Sequence, residues 1–477
     1  MNNSCLEKEF VKLIKLSLPI TAKMTNAMKI VGSSVIVVLI AGYIAQKYLP
    51  PPKPAIVGID LGTTFSCVSV FYSGKGTVEV IPDEKGRKTI PSVVAIPSKN
   101  TYFVGYNALE LSNYDSSRVF YDAKRFIGQQ FTEAKFNMEK QRYPFNMRLN
   151  GTVAVFEAGH GAVAELYKAE EISSFVLSYL KKMAENYLKV NRVQRAVMSV
   201  PAEFDELQRN ATIEAARLAG IEVLRLISEP TAAALAYGLH KKENTRHVVI
   251  FDLGGGTLDV SVLIVLGGMF ITRAIAGHNH LGGQDFNHRL LQHLMQVVEE
   301  QHGLLLTDED DLHSLRLAVE QAKLQLTNAT ETLIEIQLKS LAVGKENHHP
   351  NRQQQQPVTF SYRLTRDLFE KLNQQLFLKV LKPIEAALAD ANMKADDVDE
   401  VVMVGGSTRI PKIRQIVSSY FNKSLNCEID PELAVAIGVG VQAGVMAQAW
   451  PVQVSATEIP FKSKKIHIYD DEFDLKQ

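Results

Sequence analysis

Residues 56–70 read IVGIDLGTTFSCVSV and residues 248–262 read VVIFDLGGGTLDVSV. Each is a β-branched apolar run that ends in Asp-Leu-Gly, passes through two or three small residues and resumes as an alternating apolar strand. That is the pattern of a hairpin turned on glycine. Asp60 and Asp252 stand 192 positions apart (252 − 60), far beyond the roughly 20–50 residues of a stacked repeat, so the chain carries a duplicated lobe. A turn of small residues lets backbone N–H groups close on a phosphate chain, and a carboxylate at the strand end can hold a hydrated Mg²⁺. One such turn alone reads as an ordinary tight hairpin. Two facing each other would grip a single polyphosphate from both sides.

A third glycine turn lies in VVMVGGSTRIP, residues 401–411, where an apolar strand breaks at Gly405-Gly406-Ser407 before a helical stretch. A strand entering a helix through glycines leaves free N–H groups for an anionic or polar ligand. The chain contains no GxxxxGK[ST], which excludes a P-loop ATPase, and no GxGxxG follows a strand in dinucleotide-binding context. Phosphate is handled by a different architecture.

Composition narrows the function further. The 477 residues carry 52 Lys+Arg against 52 Asp+Glu and are 46% hydrophobic. That apolar fraction belongs to chains that bury a core, and a net charge of zero offers no overall field for nucleic acid. Nucleic-acid partners are therefore not expected. Cys5, Cys67 and Cys427 are odd in number and far apart, so they build neither a disulfide framework nor a zinc site.

The N-terminus reads as a targeting segment. Seventeen residues without a charge run from Ile30 to Gln46, between the roughly 7–15 of a signal-peptide core and the roughly 20 of a spanning helix. Lys12, Lys15, Lys23 and Lys29 precede it, which by the positive-inside rule sends the remainder across the membrane. Residues 1–54 are thus expected to be a signal peptide or signal-anchor with a Pro-rich spacer, with membrane association through this segment. The bulk of the chain would be lumenal. Ala45, with bulky Tyr43 two positions before it, makes a poor cleavage site.

The strings GIDLGTTFSC (58–67), FYDAKRFIG (120–128), VMSVPAEF (197–204), ISEPTAAALAYGL (227–239), IFDLGGGTLDVS (250–261), LGGQDFN (281–287), VGGSTRIPKI (404–413) and DPELAVAIGVGVQAG (430–444) resemble, in order, the nucleotide-binding domain of the heat-shock seventy-kilodalton chaperones. The resemblance spans residues 55–450. It implies an α/β, actin-like ATPase fold: lobe I at 55–240, lobe II at 241–450, and ATP or ADP with Mg²⁺ in the cleft between them. Residue by residue, it implies that Asp60 and Asp252 serve the metal, mainly through water. Gly62, Thr63, Thr64 and Gly254, Gly255, Gly256, Thr257 would cradle the phosphates. Lys124 and Glu229 would join Asp60 and Asp252 in the catalytic group. Gly405, Gly406, Ser407 and Arg409 would meet the ribose, α-phosphate and adenine. Glu320, Lys323 and Thr327, at i, i+3 and i+7 on one helix face, would bind the nucleoside.

These residues suit γ-phosphoryl hydrolysis, which needs charge neutralisation and an aligned water more than covalent help. Each also has a plainer reading. Lys124 beside Arg125 could be a solvated basic face, Asp252 a turn former, and Glu229 a helix N-terminal charge ahead of Pro230. Gln284, Leu324, Phe65 and Ser228 depart from the family pattern. Leu324 replaces an arginine that stacks on adenine and so removes a cation–π partner. Residues 340–357, with His348 and His349, read as a polar surface insertion.

After Trp450, 27 residues remain (477 − 450). They are too few to enclose a core of their own, and 451–477 is expected to be a flexible tail in place of a peptide-binding domain. The expected function is a slow, peptide-independent ATPase in protein handling on the lumenal side of the endoplasmic reticulum, the microsomal fraction. It would not bind unfolded peptide directly. Its protein partners would be of the co-chaperone or ubiquitin-pathway type. Two alternatives stay open: a nucleotide-gated binding module with little turnover, and a small-molecule kinase of the actin-like superfamily.

Overall fold

The computed structural model describes residues 32, 34–42, 56–112, 115–159, 164–242, 244–303, 305–339, 358–447, 457–459 and 464–469. Two units divide the chain, Met1–Lys53 and Pro54–Gln477. In the first, residues 34–42 are helical and exposed. Among the described residues no helix is long and apolar enough to cross a membrane.

The second unit is built on two sheets that repeat one plan. In the first, β1 (Ile56–Leu61), β2 (Phe65–Tyr72), β3 (Thr77–Val80), β4 (Arg195–Val200) and β5 (Glu222–Ser228) lie in the order β5-β4-β1-β2-β3. In the second, β6 (His247–Leu253), β7 (Leu258–Leu266), β8 (Met269–His278), β9 (Glu400–Val404) and β10 (Thr457–Ile459) lie in the order β9-β6-β7-β8-β10. The hairpin β1–β2 is antiparallel and β4 joins it in parallel; β6–β7 and β9 do the same. The duplication read from the Asp-Leu-Gly strings is therefore a duplication of sheet topology. Each central strand is buried on both faces, which is why it reads as an unbroken β-branched run.

The three largest apolar clusters among the described residues follow from this plan. One fills lobe I around Phe120, Phe126, Phe145 and Phe156, and a second fills lobe II around Phe286, Phe360, Phe377 and Phe421. The third joins the lobes: Ile56 and Val197 of lobe I pack with Val248, Ile250 and Val402 of lobe II and with Ala434, Val439 and Ala443.

Two boundaries differ from the sequence expectation. Helix α1 (Ala434–Met446), placed by number in lobe II, packs on β1, β2 and β4 of lobe I. Its sequence AVAIGVGVQAGVM is apolar all round, as a helix buried between two lobes must be. Glycine permits the approach: a Cβ at Gly438 would stand 1.8 Å from the Ala232 carbonyl oxygen. The 451–477 tail also contributes structure. Besides β10 it supplies β11 (Ile466–His467), and both pair in parallel with β8. The expectation of a loose tail failed because a short strand needs only a free sheet edge, which no local composition reveals. The insertion 340–357 lies outside the described residues, between the antiparallel strands Glu331–Leu338 and Val358–Thr365.

Candidate nucleotide site between the two lobes

The two Asp-Leu-Gly hairpins place Asp60 and Asp252 at equivalent strand ends. At the first turn, a Cβ on Gly62 would lie 2.0 Å from the Phe65 carbonyl oxygen, so only glycine fits. Ser92 holds this turn, its Oγ donating to the Gly62 carbonyl at 2.7 Å and its N–H to the Thr64 carbonyl at 2.8 Å. At the second turn, the Gly254 carbonyl accepts from Ser407 Oγ at 2.8 Å and from the Gly283 N–H at 3.1 Å, while the Gly255 carbonyl accepts from the Gln284 N–H at 2.7 Å. The third glycine loop is thereby stitched to the second. Gly405 has φ +83°, and a Cβ there would meet the Leu253 carbonyl oxygen at 2.3 Å and Asp252 Oδ1 at 2.7 Å. Gly255 lies against Thr64 of the opposite turn, so the two turns do face each other.

Lys124 sits in a short 3₁₀ turn, Ala123–Arg125, entered through Asp122 at φ +59°. A left-handed conformation costs a non-glycine residue about 1–2 kcal/mol. The Asp122 carboxylate is held by Arg125 Nε at 3.1 Å and by the Tyr143 hydroxyl at 3.2 Å. Lys124 is 9% exposed, and its Nζ donates to Glu229 Oε1 at 2.5 Å. The solvated-face reading of this lysine is thus excluded. Glu229 opens helix α2 (Glu229–Ala236), whose N-cap Ser228 accepts from the Thr231 N–H and whose Pro230 fits the first turn.

These groups form one charge cluster, with Lys124 buried and Asp60, Glu229 and Asp252 half-buried. Burial raises Asp60 above the ordinary carboxyl range, offset in part by Lys124 and by Ser199 Oγ, which donates to Asp60 Oδ1 at 2.7 Å. Burial also raises Glu229, against the opposing pull of Lys124. Asp252 is pushed well up, first by burial and then by the negative charges of Glu229, Asp259 and Asp60. For Lys124, burial acts downward, but Glu229 and Asp60 outweigh it and the net direction is up. A small pocket adjoins the cluster, lined by Glu203, Glu229, Asp252 and Asp259 among others.

The residues expected on the nucleoside side are assembled less tightly. Glu320 and Lys323 lie on helix α3 (Glu309–Gln325), with Lys323 Nζ 2.8 Å from Glu320 Oε2, and Glu320 also accepts from Asn287. Thr327 falls just past that helix, which is capped at Leu326; the single-face expectation therefore holds for Glu320 and Lys323 alone. Thr327 and Lys323 line a second, smaller pocket with Arg366 and Phe369. Arg409 is drawn to Asp430 and Glu432. Leu324 is half exposed and Gln284 exposed.

Sequence reasoning missed Ser92, Ser199, Glu203, Asp259 and Lys465. Ser92 and Ser199 lie in strings with no glycine-turn signal. The sequence does show Asp259 inside the second hairpin, but only the strand register sets it opposite Asp252. Two like charges directly opposed on antiparallel strands are unfavourable, so this pairing calls for a compensating cation.

The two repeated sheets and the cleft between them define a two-lobed, actin-like ATPase fold. The Hsp70 protein family model matches residues 56–458, and the chain belongs to that family. It is 46% identical to mouse Heat shock 70 kDa protein 13 over 467 residues, covering 92% of this chain and 98% of that protein. The human protein of the same name is 45% identical over 468 residues. A Heat shock 70 kDa protein of Emericella nidulans is 42% identical over 393 residues, and the match covers 58% of that longer protein.

Proposed function

We propose that this chain binds ATP with Mg²⁺ between its lobes and hydrolyses it slowly, without needing unfolded peptide, in protein handling on the lumenal side of the endoplasmic reticulum. The observation that carries the reading is the ion pair of buried Lys124 with half-buried Glu229, set among Asp60 and Asp252, one carboxylate from each glycine hairpin. Burying charge on this scale is costly unless it is compensated. Asp60, Asp252 and Glu229 outnumber Lys124, the ammonium set among them; burial raises all three carboxyl groups, and at Asp252 the negative charges of Glu229, Asp259 and Asp60 add to it.

A divalent cation fits this deficit. Asp60 and Asp252 would hold it, mainly through water, and when bound it would neutralise charge on the phosphate oxygens. The chain's own residues do the rest. The three glycine turns position the phosphates, Lys124 faces the charge that develops on the transferring group, and Glu229 or Asp252 orients the attacking water and accepts its proton. Substituting Lys124→Ala removes the cation and should lower turnover about 10²–10³-fold. Steady-state phosphate release with the full chain measures it. Wild-type turnover no greater than that of the Lys124→Ala protein would leave a nucleotide-gated binding module, a reading favoured by half-exposed Leu324 where a stacking arginine is expected. A several-fold rise in turnover on adding unfolded peptide would overturn peptide independence.

The compartment has its own test. The sequons at Asn150, Asn210, Asn328 and Asn422 are all exposed, so a lumenal chain presents acceptors for glycosylation. A glycosidase-sensitive mobility shift of the cellular protein is expected. Its absence would argue for another compartment.

A further inference from the structure

The segment expected to trail loosely after the last helix ties the two lobes together at two points. Strand β10 belongs to the lobe II sheet, with Phe270 opposite Glu458. The Glu458 carboxylate crosses to lobe I, accepting from the Ser228 N–H at 3.1 Å and from Thr231 Oγ1 at 3.1 Å. Those groups form the N-terminal turn of α2, the helix that begins with Glu229. Further along, Lys465 is 3% exposed at its side chain, and its Nζ lies 2.5 Å from Asp259 Oδ1 of lobe II and 3.1 Å from Glu203 Oε1 of lobe I. Asn279 Oδ1 accepts from the same ammonium at 3.4 Å.

The site is shaped for this lysine. A Cβ on Gly277 would stand 2.5 Å from Lys465 Cε and 2.8 Å from Asp259 Oδ1, so the side chain passes over the one position of β8 that leaves it room. Backbone bonds seat the segment, the Thr457 N–H donating to the Gly268 carbonyl at 3.1 Å and the Ile468 N–H to the Gly277 carbonyl at 2.8 Å. An ammonium so buried is stable only with its partners in place. Separating the lobes would pull Glu203 from Lys465 and Ser228 from Glu458 together.

We infer that residues 457–459 and 464–469 act as a clasp between the lobes that slows nucleotide release from the cleft, a regulation that rests on the nucleotide-binding reading above. Lys465 and Glu458 are positioning residues: Lys465 ties Asp259 of lobe II to Glu203 of lobe I, and Glu458 holds the helix start that bears Glu229.

The test uses the full chain and a fluorescent ATP analogue displaced by excess ATP. Lys465→Met and Glu458→Gln should each speed release about fivefold or more, a change in off-rate, while Lys465→Arg, which keeps the charge, stays within about twofold of the wild type. Release from Lys465→Met within twofold of the wild type would overturn the clasp. If Lys465→Met fails to fold, Glu458→Gln decides alone by the same criterion, since Glu458 is only half-buried. Amide exchange in the nucleotide-free wild type needs no variant: corrected for intrinsic rates, Ser228, Thr457 and Ile468 should share one opening free energy, and unrelated values would sink the clasp. A wild type that binds no nucleotide refutes the functional reading and leaves the exchange result to judge the clasp.

Discussion

At the scale of single residues, the cleft concentrates carboxylates that stability alone would not keep. Asp285 shows this outside the catalytic group. It sits in the first turn of the helix Gly283–His302, accepting from the Gly282 N–H at 2.8 Å, and burial pushes its carboxyl up to about 6. A carboxyl raised above its unfolded value binds its proton more readily in the folded state. Its stabilising contribution is therefore full below about pH 4 and is lost as pH climbs to about 6. Asp285→Asn keeps an acceptor for Gly282 and removes that loss. The variant should be more stable than the wild type at pH 7, by on the order of 2 kcal/mol, and the two should converge toward pH 4. Thermal denaturation across that range measures it, and parallel curves would refute the assignment. At this scale the sequence was informative where chemistry repeats locally. Asp60 and Asp252 were read from the repeated hairpins, Lys124 and Glu229 only through the family resemblance, and the structure brings all four into one charge cluster. Lys465 was invisible, because its string KSKKIHIYDDEF gives no sign of which lysine is buried.

At the scale of elements, the helix Ala434–Met446 carries the inter-lobe packing. Its glycines bring backbone against backbone and side chain: a Cβ on Gly438 meets the Ala232 carbonyl oxygen at 1.8 Å, and one on Gly444 meets the Phe71 ring at 2.5 Å. Gly438→Ala introduces a methyl where backbone cannot yield. It should cost about 3 kcal/mol or more, at the upper end of overpacking effects, even though alanine is the better helix former. A lowered denaturation midpoint in urea checks this. A gain in stability, as propensity alone predicts, would show that the lobes can separate there. Chain order placed this helix in lobe II, whereas β1, β2 and β4 of lobe I offered the matching surface.

At the scale of the whole molecule, two homologous sheets, an apolar interface and a C-terminal clasp enclose a charge-imbalanced cleft. Ligand that binds only the folded state stabilises it by mass action, about 2.7 kcal/mol at one hundred times Kd. ATP with Mg²⁺ should therefore raise the melting temperature by several degrees, and chelating the metal should remove most of that rise, because Asp60 and Asp252 again face phosphate without a cation. An unchanged melting temperature would count against the cleft as a nucleotide site. The sequence alone determined the duplicated hairpins, the family and the glycine turns, since each is written in a dozen contiguous residues whose backbone demands are local. Only the tertiary structure decided that Asp259 opposes Asp252, that the last long helix returns to lobe I, and that Lys465 enters the cleft to join Glu203 and Asp259. Those outcomes depend on strand register, on a free sheet edge and on the desolvation of distant charges, which are set by the assembled fold and by no single stretch of chain.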